Sequence, residues 1–208
     1  MVNVTYAITV CNELDEITKL LNFLQLNIRK EDEIVIQYDE SSVTSEVKEY
    51  ISLMDMMHEN HNVIGFPLNK DFASFKNNLK SNCSGDYIFQ IDADEIPHAA
   101  LIEYLPEVLT TNPVDIVFVP RVNTVEGLTD EHIKKWGWNV NEKGWVNWPD
   151  YQTRIYKNTE DVTWMNKVHE KITGYNNFSN FPMEEHWALY HPKKIDRQEK
   201  QNEFYETI

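Results

Sequence analysis

"DYIFQIDADE", residues 86–95, decides the fold. Its first half, Tyr87-Ile88-Phe89-Gln90-Ile91, is a short apolar run rich in β-branched and aromatic residues, and reads as a buried strand. Its second half crowds Asp92, Asp94 and Glu95 into four positions. Carboxylates at a strand end repel one another unless water, a cation or a hydrogen-bond donor relieves them. Two readings stand: a solvated turn, or a turn whose acids hold a metal ion. Two carboxylates at i and i+2 on a tight turn can point into one cleft, and hard divalent cations take oxygen donors.

The flanking sequence alternates strand and helix signals. Residues 2–10 are apolar and β-branched, a first strand. Residues 12–28 space Leu14, Ile17, Leu20, Leu21, Leu24 and Ile28 close to a helical period. "DEIVIQY" (32–38) is a strand, residues 41–56 open with Ser/Thr caps into a helix, and "HNVIGFP" (61–67) is a short strand. "DFASFKNNLKSNC" (71–83) is helical, with Gly85 as its expected stop. After the acidic turn, "AALIEYLPEVL" (99–109) is a helix that Pro106 should shorten or bend, and "DIVFVPRVN" (115–123) is one more strand. This alternation predicts an α/β fold with a mostly parallel sheet flanked by helices, whose ligand sits at the carboxyl ends of the strands. The Cys11-Asn12-Glu13 turn, the Asp39-Glu40 turn and the acidic cluster then share one edge.

From residue 126 the character changes. Trp136, Trp138, Trp145 and Trp148 fall within 13 residues among Gly, Asn and Pro, without a clean period. Irregular structure or short antiparallel strands are expected there, then strands or a strand–helix pair through "VTWMNKVHEKI" (162–172) and a polar helix in the tail. The tail stops abruptly, which leaves room for a closing element. We divide the chain into residues 1–125, an α/β half, and 126–208, an aromatic-rich half of the same domain.

Bulk composition narrows the function. The chain has 208 residues, 41% hydrophobic, with 34 acidic against 19 basic residues and a net charge of −15. This argues against an extensive nucleic-acid surface and suits a protein that uses cations. No apolar run is long enough to span a membrane, and the start lacks the basic-then-apolar pattern of a signal peptide, so a cytoplasmic location is expected. Cys11 and Cys83 stand outside any zinc-ligand spacing and read as reduced thiols.

Several stretches in order carry a resemblance. "DFASFKNNLKSNCSGDYIFQIDADE" (71–95) combines an aromatic, a Lys-Asn pair and a Gly-Asp leading into a strand and an Asp-Ala-Asp-Glu turn. "ITVCNELDEITKLL" (8–21) supplies a strand with an Asn-Glu turn, and "DEIVIQYDESS" (32–42) a strand ending in Asp. "WPDYQTRIYKN" (148–158) is followed by "VHEKITG" (168–174). Together they resemble the GT-A glycosyltransferases of family 2, especially small enzymes similar to lipopolysaccharide core β-glucosyltransferases. One departure is plain: after Asp39 this chain has Glu-Ser-Ser-Val-Thr, without the Gly and the last Asp common in the family.

The resemblance implies a GT-A, Rossmann-like fold and transfer of a hexose, with inversion, from a nucleotide sugar such as a UDP-sugar to a carbohydrate or other hydroxyl acceptor. It implies Mn²⁺ or Mg²⁺ as cofactor. Thr9, Cys11, Asn12, Glu13, Asp39, Lys76, Asn77, Asp92, Ala93 and Asp94 would bind the nucleotide sugar. Asp94 would hold the metal directly, with Asp92 and a late His191 as further ligands. Glu170 would be the base that takes the acceptor's proton, with Asp150 as the runner-up. Trp148, Arg154 and His169 would face the acceptor; Arg154 serves equally well in a salt bridge within the acidic chain. A catalytically degenerate sugar-binding module is the alternative. A nucleotidyltransferase or nuclease is disfavoured, because no Gly-rich phosphate loop is present.

Overall fold

The structure is a computed structural model, and it describes residues 1–205. In chain order the strands are β1 (Val4–Val10), β2 (Glu33–Asp39), β3 (His61–Phe66), β4 (Tyr87–Asp92), β5 (Ile96–Pro97), β6 (Ile116–Val119), β7 (Arg121–Glu126), β8 (Gln152–Lys157), β9 (Thr163–Met165), β10 (Lys171–Thr173), β11 (Phe178–Asn180) and β12 (Leu189–Lys194). The helices are α1 (Leu14–Asn27), α2 (Ser45–Met57), α3 (Phe72–Ser81), α4 (Ala99–Thr111), α5 (Asp130–Trp136) and α6 (Ile195–Tyr205).

Seven strands form one sheet in the order β11-β6-β8-β4-β1-β2-β3. β4, β1, β2 and β3 are parallel neighbours, so the expected parallel sheet is present. β8 runs antiparallel between β4 and β6. β1, β2 and β4 are buried on both faces, with side chains alternating between them. Tyr6, Ile8, Ile34, Ile36, Phe89 and Ile91 enter the core that also takes Leu20, Leu24, Ile51 and Leu105 from α1, α2 and α4. Ala7, Val35 and Ile88 point the other way, into a second core with Leu79 of α3, Tyr156 of β8 and Trp164 of β9. Each fully buried Ile or Leu contributes about 1.5–3 kcal/mol, so the scaffold's stability rests on this apolar sandwich.

Four expectations are corrected. "DIVFVPRVN" is two strands: Pro120, which has no N–H to donate, separates β6 in the main sheet from β7 in a small sheet ordered β5-β12-β7. Pro106 does not shorten α4, which continues to Thr111; the proline is buried, and Thr110 Oγ1 donates to its carbonyl at 2.6 Å. Gly85 does not stop α3, which ends at Ser81 and is capped by Asn82, whose Nδ2 donates to Asn78 O. A Cβ on Gly85 would lie 2.7 Å from the Thr5 backbone nitrogen, so glycine permits a close approach to β1. The tryptophan-rich segment contains a helix, α5, capped by Thr129 at its start and closed by Gly137.

Candidate functional site

A cleft of about 650 Å³ opens at the carboxyl ends of β1, β2 and β4. The three turns after these strands meet there: Cys11 and Glu13, Asp39, and Asp92, Ala93 and Asp94 all line it, as does Thr9 at the end of β1. The far wall is Lys76, Arg154, Trp164, His169, Glu170, His191, Lys193 and Arg197.

The acidic turn is built on buried cations. Glu95 is fully buried; its Oε1 accepts from Arg121 Nη1 at 3.0 Å and Arg154 Nη2 at 2.6 Å, and its Oε2 accepts from the Asp92 backbone N–H at 3.2 Å. Asp92 accepts from Thr9 Oγ1 at 3.0 Å and forms an ion pair with Arg154 Nη2. Burial would raise the Asp92 pKa, but the charges of Arg154 and Lys76, with the hydrogen bonds from Arg154 and Thr9, overcome it and hold the acid well below the ordinary carboxylate range. Arg154 is therefore committed to Asp92 and Glu95, the salt-bridge alternative rather than an open receptor for an acceptor. A cation drawing on Asp92 must also compete with that guanidinium.

Asp94 is different. Its Oδ2 lies 3.4 Å from His191 Nε2, and burial is again outweighed, here by His191, so its pKa is lowered. His191 is oriented through its other ring nitrogen. Asp150, which can only accept, takes the Asn123 Nδ2–H at 2.7 Å, so Asn123 turns its carbonyl toward His191 Nδ1, also at 2.7 Å. Nδ1 then carries a hydrogen and Nε2 faces Asp94. An imidazole nitrogen and a carboxylate oxygen converging in this way fit two positions of a divalent-cation shell. Among the described residues no group of three His, Cys, Asp or Glu side chains converges, so other ligands would come from substrate and water.

The remaining candidates divide. Glu170 reaches the cleft on the turn between β9 and β10, where it pairs with Lys76 Nζ at 2.5 Å. Lys76 is buried, not on a solvated helix face, and its ammonium lies 4.4 Å from the centre of the Trp164 ring. Asp39 accepts from Ser41 N and Oγ, from Ser42 Oγ and from Leu68 N. Burial, which would raise its pKa, yields to these hydrogen bonds, and the pKa falls. Glu13 does not cap α1 with its side chain; Oε2 takes the Cys11 and Asn12 amides and Oε1 takes Arg197.

Four candidates lie off this cleft. Asn12 is exposed beside it. Asn77 bonds both ways to the Trp164 backbone, at 2.8 and 2.9 Å, and so ties α3 to β9 instead of facing a nucleotide. Asp150 borders an adjoining cavity of about 260 Å³; Arg121 and Asn123 occupy its Oδ2 and Gln152 its Oδ1. Trp148 packs edge-on against Trp145, whereas Trp138 borders the adjoining cavity. Sequence reasoning missed Arg121, Lys193 and Arg197. Arg121 carries a signal, a charge set between Pro120 and an apolar residue within a strand; Arg197, in a polar tail, carries none.

A mostly parallel α/β sheet flanked by helices, with its cleft at the strand ends, is the arrangement of the GT-A fold. The family model for Glycosyl transferase family 2 matches residues 5–187, and the chain belongs to that family. S. aureus TarS residues 1–349 superpose with a TM-score of 0.65 at 14% identity, over 92% of this chain and 60% of that one. The same protein in complex with UDP-GlcNAc gives 0.61 at 15% identity, over 93% and 59%. The mannosyltransferase PcManGT from Pyrobaculum calidifontis, in complex with GDP-Man and Mn²⁺, gives 0.50 at 17% identity, over 58% and 36%. This chain thus spans about three-fifths of the first of these structures. No curated protein matches it significantly.

Proposed function

We propose that this chain moves a hexose, with inversion, from a nucleoside diphosphate donor to a hydroxyl acceptor, with UDP-sugars as the first donors to test. The observation that carries this reading is the convergence of Asp94 and His191 Nε2 in the family's cleft. Those two residues would hold Mn²⁺ or Mg²⁺, with Asp92 alongside; when bound, the ion would neutralise charge on the departing diphosphate. Neighbours with UDP, UDP-GlcNAc or GDP-Man and Mn²⁺ support the donor class. No helix among the described residues is long and apolar enough to cross a membrane, which is compatible with the expected work in the cytoplasm.

The chain's own residues do the rest. Glu13 and Asp39 line the side where nucleoside would lie, Asp39 through whatever acceptor capacity its serine loop leaves. The acceptor hydroxyl attacks the sugar's anomeric carbon as the bond to the diphosphate oxygen breaks, and its proton passes to Glu170. Glu170 must first loosen its contact with Lys76, whose ammonium can turn toward the phosphate side. The half beyond residue 126 supplies the acceptor wall.

A second reading, a module that binds sugar nucleotide without turnover, is favoured by the three donors already on Asp39 Oδ1 and by Glu170's ion pair. One experiment separates them. A thermal-shift screen of nucleotide sugars, with and without Mn²⁺, is expected to show a donor-specific rise that needs the ion and is lost in Asp94→Ala. Release of nucleoside diphosphate from that donor marks the enzyme, and binding without release marks the module. No shift with any donor defeats both.

A further inference from the structure

The cations on one wall of the cleft already serve the fold: Arg121 and Arg154 sit under the acidic turn, and Lys76 holds Glu170. A second set comes from later in the chain. Lys193 near the end of β12 and Arg197 in the first turn of α6 both line the cleft. Arg197 divides one guanidinium among three acids. Nη1 meets Glu16 at 3.1 Å, and Nη2 meets Glu13 at 2.9 Å and Asp94 at 3.4 Å.

The third contact is the longest, and it is made to the same Asp94 oxygen that faces His191. A guanidinium and a divalent ion repel each other when they share one carboxylate oxygen. Arg197 must then give up Asp94, and the nearest new anion would be the diphosphate on that ion. Its planar fork suits phosphate oxygens, and Glu16, which does not line the cleft, can keep hold of its other nitrogen.

We infer that Arg197, with Lys193 beside it, binds the diphosphate of the donor by exchanging Asp94 for phosphate. This rests on the functional reading above and adds a residue to it. The test is calorimetric titration of UDP, GDP, uridine and guanosine into the unsubstituted chain, Arg197→Gln and Arg197→Lys, each with and without Mn²⁺. Diphosphate affinity is expected to fall about tenfold in Arg197→Gln, the factor carried by one charge-assisted hydrogen bond, and by more than any change in nucleoside affinity, since Arg197 also holds Glu13. Arg197→Lys should retain part of the affinity. The Arg197 side chain is 37% exposed, so both variants should fold, which their melting temperatures check. Equal diphosphate affinity in Arg197→Gln and the unsubstituted chain overturns the inference. Tighter binding in Arg197→Gln overturns it too, since Arg197 would then be only a competitor for Asp94. If the unsubstituted chain binds neither UDP nor GDP, the functional reading fails first and takes the inference with it.

Discussion

Asp92 stands under two opposing influences. Burial favours its neutral form, while Arg154, Lys76 and Thr9 favour the carboxylate and prevail. Its folded-state pKa therefore lies below that of the unfolded chain, about 3.9. The stability this contributes is fully present above that value and is lost as pH falls through the carboxylate range toward the depressed folded pKa. With 36% of the side chain open to the cleft, solvent screening limits the effect to the order of 1 kcal/mol. Asp92→Asn should be less stable than the unsubstituted chain at pH 7, with the gap narrowing from pH 5 to pH 2; urea melts at several pH values measure it. A gap that stays constant with pH would show that the charge is not its source. Asp92 and Asp94 were legible as a pair because a strand fixes the turn that follows it. Asn77 and Asp150 were not, because β9 and Asn123, brought close only by the fold, claim their polar atoms.

The β9–β10 hairpin is the element that delivers His169 and Glu170 to the cleft. Gly174 closes it with φ of 78°, and a Cβ there would come within 1.7 Å of the Asp161 carbonyl oxygen. Gly174→Ala therefore forces the backbone apart at the hairpin's base. It should cost at least about 1–3 kcal/mol, and limited proteolysis should cut between residues 159 and 176 faster than in the unsubstituted chain. Unchanged melting and cleavage would mean that the hairpin tolerates the displacement. Element types were readable where the apolar period was long, as in α1 and β4. "VTWMNKVHEKI" was ambiguous between strands and a strand–helix pair because each strand is only three residues long. The break at Pro120 was missed because apolar residues flank the Pro120-Arg121 pair on both sides, although proline could not donate within a continuous ladder.

Across the whole molecule, acids outnumber bases by 15, yet cations are drawn to the cleft where Glu13, Asp92, Asp94 and Glu95 gather. An anionic ligand is therefore handled locally, while the outer surface repels polyanions. The chain should show no retention on duplex DNA at about 50 mM salt, where phosphate-tracking proteins bind well; salt-dependent retention there would point to a basic face on the surface. The parallel sheet and its cleft could be read from alternation alone, but the place of β8 could not. Strand order depends on which later segment fits a gap, and residues 152–157 fill the space between β4 and β6. That placement bears on how the protein is made. A ribosome that has released only the first 125 residues has delivered β4 and β6 but not the strand that joins them. Two inner strands then wait with open edges, and Asp92 and Glu95 wait without Arg154. The centre of the sheet and the charge balance of the acidic turn are completed together, after both neighbouring strands, by the same six residues.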